Sequence, residues 1–151
     1  MANNPTTFRL VPGLPVTLRA VGFLEGHGEL NAGPVFDGLN IEAERALKAR
    51  MNYWLSGNNS PSKWFHGFPN DKDHKNCFVF KYQERRFYGF LCHPMPKTKP
   101  RLQLCVLCIH AKKNEWETDK AELDRVKEWL IGMASIGTIQ YLYLEYGKQE
   151  P

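Results

Sequence analysis

The stretch LQLCVLCIHAKKNEW, residues 102–116, decides how the rest of the chain is read. From Leu102 to Ile109 it is apolar at every position but Gln103, the length and composition of a central strand buried on both faces. It then ends abruptly in His110, Lys112 and Lys113. A purely structural strand needs only a turn at its exit, whereas a site that grips phosphate needs positive charge held on a rigid edge.

Working upstream, CHPMPKTKPR (92–101) carries three prolines and reads as a loop. Before it, Phe78, Phe80 and Tyr82 alternate with Val79 and Lys81. Phe87, Gly89 and Leu91 then alternate with Tyr88 and Phe90 beyond the connection QERR. The period of two predicts a hairpin, and with 102–109 a three-stranded antiparallel meander. Residues 56–76, with SGNNSPS and WFHGFPNDKDHKN, read mostly as loop.

Two helices flank this sheet. Ala43, Ala46, Leu47, Met51, Trp54 and Leu55 recur at intervals of three and four, which predicts a helix over 41–55 with Asn40 as its N-cap. Downstream, Leu123, Val126, Trp129, Leu130 and Met133 share one face of a helix over 118–134, for which Thr118 is the candidate cap. Residues 8–36 read as strand and loop, and TIQYLYLEY (138–146) as an edge strand or ordered tail. The expected fold is α+β: one domain with a small, largely antiparallel twisted sheet and the two helices packed on it. The core is expected over 41–134, with extensions at 1–40 and 135–151.

Composition bounds the function. A chain of 151 residues, 42% hydrophobic and 24% charged, can bury a core without staples. Its net charge of +4 is mild, but it gathers in 81–86 and 97–113, which favours a basic face. The opening MANNPTTFRL has no export-signal pattern and no apolar run reaches membrane-spanning length, so a cytoplasmic protein without a membrane partner is expected. Cys77, Cys92, Cys105 and Cys108 are expected as reduced thiols, three of them in apolar segments.

RRFYGFLC (85–92) and LCVLCIHAKKNEWETDKAELDRV (104–126) carry a resemblance. From about residue 41 to 130 the chain resembles the RelE/ParE toxin superfamily, and within it the HigB-like, phage-associated branch. That resemblance implies a RelE-like fold and a toxin of a toxin–antitoxin pair. Its activity would be metal-independent cleavage of mRNA, commonly on the ribosome, by attack of a ribose 2′-OH on the adjacent phosphate. It also implies a partner antitoxin, often one with a helix-turn-helix domain, and no cofactor.

Such a reaction needs a proton acceptor, neutralisation of charge on phosphorus and a proton for the leaving oxygen. Arg86 is the candidate for charge stabilisation and His110 for proton transfer, with Lys81 and Lys112 orienting the phosphate. Arg85, Lys113, Tyr88, His74 and Lys75 are candidate RNA contacts, Tyr88 by stacking on a base. The expectation is that the hairpin cations and those at the exit of 102–109 converge on one concave surface, where Arg86 and His110 meet.

Each of these residues has a plainer reading: lysine pairs at strand exits and arginine pairs in turns are most often solvated surface, and Tyr88 is more often core. Cys92, His93, Cys105, Cys108 and His110 invite a zinc reading, but an extended strand points the thiols of CVLC to opposite faces, so no metal site is expected. No Walker loop, Rossmann fingerprint or G-x-S-x-G elbow occurs. Two rivals share the scaffold: a ParE-like gyrase-poisoning toxin, and a non-catalytic phage or host interaction module.

Overall fold

The computed structural model describes residues 6–93, 102–114 and 117–134. Six strands and three helices follow one another: β1 (Thr7–Leu10), β2 (Arg19–Glu25), α1 (Ala32–Asp37), α2 (Ile41–Leu55), β3 (Phe65–Gly67), β4 (Cys77–Tyr82), β5 (Arg85–Cys92), β6 (Gln103–Lys112) and α3 (Lys120–Ala134). They form one sheet in the order β1-β2-β6-β5-β4-β3. Every pairing is antiparallel except β2 with β6. The class is therefore α+β with a mostly antiparallel open sheet.

The meander β4, β5, β6 and the helices over 41–55 and 120–134 stand where the apolar periodicities place them. Asn40 caps α2 as expected, its side chain accepting from Ala43 N at 2.8 Å. The N-terminal segment is not an appendage. β2 lies between β1 and β6, and Phe8, Leu10, Ala20, Phe23 and Leu24 are core residues, so 7–25 completes the sheet. The region 56–76 also supplies β3, three residues long and too short for alternation to reveal. The segment 138–146 lies outside the described residues.

Helices cover both faces. On one, Leu47, Met51, Trp54 and Leu55 of α2 and Phe36 of α1 pack on Phe23, Phe78, Phe80, Phe87, Cys105 and Leu107. Trp54 stands 5.5 Å from the ring of Phe78 and 6.0 Å from that of Phe80, tilted and edge-on. Such pairs add about 0.5–1.5 kcal/mol to the burial itself. On the other face, Leu123 and Val126 of α3 meet Val79, Tyr88, Phe90, Val106 and Cys108. Cys105 and Cys108 thus belong to opposite faces, both buried as free thiols. Among the described residues no helix is long and apolar enough to cross a membrane.

One irregularity sets which face each residue at the sheet's end occupies. Tyr88 pairs with Ile109 but Gly89 pairs with Leu107, so Cys108 is an extra residue in β6. Both Cys108 and Ile109 consequently pack on the α3 side, and the alternation beyond them is reversed.

Candidate functional site: a basic cleft at the end of the sheet

The end of the sheet formed by the β4–β5 turn and the exit of β6 carries Lys81, Arg85, Arg86, His110, Lys112 and Lys113, and they divide between the faces. Lys81 follows Val79 by two residues and lies directly across from Arg86, which precedes Tyr88 by two; both therefore face α3. Ala111, the β6 partner of Arg86, packs on the same face, and Lys113 continues it. Lys63 joins these three around a cleft of about 510 Å³, with Glu84 and Asn114 at its rim.

His110 falls on the opposite side, against the expectation of one shared hollow. Its register partner is Phe87, in contact with α1 residue Phe36, and the His110 and Phe87 ring centroids are 4.8 Å apart. Asn31, just before α1, brackets its backbone: Oδ1 accepts from His110 N at 2.8 Å and Nδ2 donates to His110 O at 3.3 Å. Arg85 Nη1 lies 3.3 Å from His110 Nε2, and Lys112 pairs with Arg85 on that same face. Arg86 and His110 therefore cannot act on one phosphate. Burial, then the charges of Arg85 and Lys112, push the His110 imidazole down to about 4, so at neutral pH it is uncharged and a weak base.

Three further expected contacts change character. Tyr88 is fully buried beneath α3, and its hydroxyl donates to Asp119 Oδ1, so its ring offers no face to a base. Burial, with Asp119 beside it, holds that phenol far above its ordinary value, excluding a proton relay near neutrality. His74 is buried between two carboxylates, with Nδ1 2.7 Å from Asp71 Oδ2 and Nε2 2.7 Å from Asp124 Oδ1. Lys75 is exposed in the same loop and lines neither this cleft nor a second one of about 410 Å³ beside His74.

Within the basic cleft each cation is held differently. Arg86 Nη1 donates to Gln83 O at 2.6 Å and to Arg85 O at 3.0 Å, anchoring the guanidinium on the turn. Lys113 Nζ lies 2.9 Å from Glu122 Oε1 of α3, an ion pair largely shielded from solvent. Lys81 is half-buried, and among the described residues its ammonium has no hydrogen-bond acceptor and no carboxylate within ion-pair distance. Burial and the Arg86 charge both lower its pKa. Like charges directly opposite one another across two strands are unfavourable, so the sheet holds a local excess of positive charge that an anion relieves.

Lys63 and His66 are site residues that sequence reasoning missed. His66 pairs with Val79 on β3, diagonal to Lys81 on the α3 face, and its Nδ1 is 2.7 Å from Gly67 O. Burial lowers its pKa, the bond to Gly67 raises it, and Lys81, Asp119 and Arg86 all act on it electrostatically. No sequence signal marks either residue, because both lie in a turn-rich segment; Lys63 lines the cleft from just before β3, and the pairing of β3 with β4 sets His66 beside it. The chain matches no family model, no curated protein and no solved structure.

Proposed function

We propose that this protein is a toxin-type endoribonuclease whose reacting site is the cleft of Lys63, Lys81, Arg86 and Lys113. One observation carries the reading: a half-buried ammonium, Lys81, with no carboxylate within ion-pair distance among the described residues, held directly across two strands from a guanidinium, Arg86. A phosphodiester fits that demand, since it brings the missing negative charge, and the Arg86 fork can bind two of its oxygens. Arg86 then neutralises charge on phosphorus, and Lys81, made more acidic by its surroundings, donates a proton to the leaving oxygen.

The RelE-like reading of the fold is supported by element order. α2, the antiparallel strands β4, β5 and β6, and α3 follow one another over 41–134 as the resemblance implies. An antitoxin that neutralises the protein, and mRNA on the ribosome as substrate, belong to the same proposal.

Induction in bacteria with mapping of RNA 5′ ends tests it. Wild type is expected to create new ends within mRNA and arrest growth, and Lys81→Ala and Arg86→Ala to lose both by about 10²-fold or more. Lys112→Ala, on the other face, is expected to cut like wild type. Gyrase-linked DNA breaks without RNA ends support the ParE-like rival, and growth and mRNA both untouched support a non-catalytic module; either result overturns the nuclease reading.

A further inference from the structure

Resting on that reading, we infer that His66 is the residue that takes the proton from the attacking ribose 2′-hydroxyl. With His110 on the other face, the cleft is lined by four cations, Lys63, Lys81, Arg86 and Lys113, and by one exposed carboxylate, Glu84, while Tyr88 is sealed beneath α3; a carboxylate is a weaker base than an imidazole. His66 is the imidazole beside the cleft, on the α3 face of β3 and diagonal to Lys81. Its orientation is fixed on two sides, by Nδ1 to Gly67 O at 2.7 Å and by an edge-on contact with Phe68 at 4.9 Å between centroids.

The Gly67 carbonyl can only accept, so Nδ1 carries the proton and Nε2 keeps its lone pair. Among the described residues Nε2 has no hydrogen-bond partner. A half-buried imidazole held in one tautomer, with its basic nitrogen unoccupied and two cations nearby, is arranged to accept a proton from a neutral hydroxyl. Burial first, and then the charges of Lys81 and Arg86, lower its pKa and favour the unprotonated ring that the step needs.

The step balances. Nε2 takes the 2′-hydroxyl proton as O2′ bonds to phosphorus; the bond from phosphorus to O5′ breaks, and the Lys81 ammonium protonates O5′. The products are a 2′,3′-cyclic phosphate and a 5′-hydroxyl end, and water returns the proton from His66 to Lys81.

Single-turnover cleavage of mRNA by the full chain, in a translation mixture containing ribosomes, tests the assignment. His66→Ala is expected to slow cleavage about 10²- to 10⁴-fold. Added imidazole is expected to restore part of the rate in His66→Gly. Replacing O5′ at the cut linkage by sulfur, a leaving group that needs no proton, is expected to rescue Lys81→Ala and not His66→Ala. Cleavage by His66→Ala at the wild-type rate, or its rescue by the sulfur substitution, overturns the role of His66 and leaves the nuclease reading standing. Absence of cleavage by wild type overturns both.

Discussion

His110 shows how far one side chain can depart from its ordinary pKa once its neighbours are fixed. Its ordinary pKa of 6.5 suits proton transfer near neutrality, but burial comes first and the Arg85 and Lys112 charges follow, and together they bring it to about 4. The folded state thus binds fewer protons than the unfolded chain between those values, so the stability His110 contributes is complete above 6.5 and is lost as pH falls toward 4. NMR titration of the imidazole is expected to show an inflection near 4, moving up toward 6.5 in Arg85→Leu; an unshifted inflection in the variant removes Arg85 as a cause. What the sequence disclosed at this scale was chemistry without direction. It showed the cations at the hairpin and strand exit, but which face each one takes depends on a single extra residue in β6, and alternation counted from Leu104 puts His110 on the wrong side.

Elements explain why that extra residue exists. At Gly89 a side chain would meet Val106 O at 2.1 Å and Leu107 Cα at 2.8 Å, so β5 approaches β6 too closely for any residue but glycine. The close approach and the register shift sit side by side at Tyr88/Gly89. Gly89→Ala is therefore expected to force the central strands apart at a cost of about 2–4 kcal/mol, read as a lower urea midpoint at unchanged slope. Activity in the folded fraction should fall too, because Arg86 and Lys113 are positioned from the strands this pairing aligns. The helices and the meander were legible because period and length are local properties. Strand was expected within 8–36, but its place in the sheet was not legible, since β2 pairs with a strand some eighty residues away, and β3, three residues long, left no pattern. Lys63 and His66 were hidden with β3.

At the scale of the molecule, a sheet covered on both faces puts the basic cleft at its end, beside the start of α3. Among the contacts that hold α3 there are Lys113 with Glu122, Tyr88 with Asp119, and the His74 clasp, which ties the loop before β4 to Asp124 on α3. Burial alone lowers the His74 pKa, yet hydrogen bonds to Asp71 and Asp124, with their charges, outweigh it and hold the imidazole above 6.5. The same contacts hold Asp71 and Asp124 below the ordinary carboxylate value. For His74 the sign follows from its raised folded pKa: its contribution is fully present below 6.5 and is lost as pH rises through the folded value. For the two carboxylates the contribution is present above 3.8 and is lost as pH falls through their depressed values. The clasp is whole between those limits and loosens on either side. Replacing His74 by Ala leaves a buried void and takes from Asp71 and Asp124 the imidazole they share, and is expected to cost about 1–3 kcal/mol at pH 6. That difference from wild type should be smaller at pH 9, further along the loss of the imidazole's charge. Urea unfolding of both proteins at the two pH values measures it; a difference as large at pH 9 as at pH 6 means that His74 contributes through packing alone and that α3 is not held by charge.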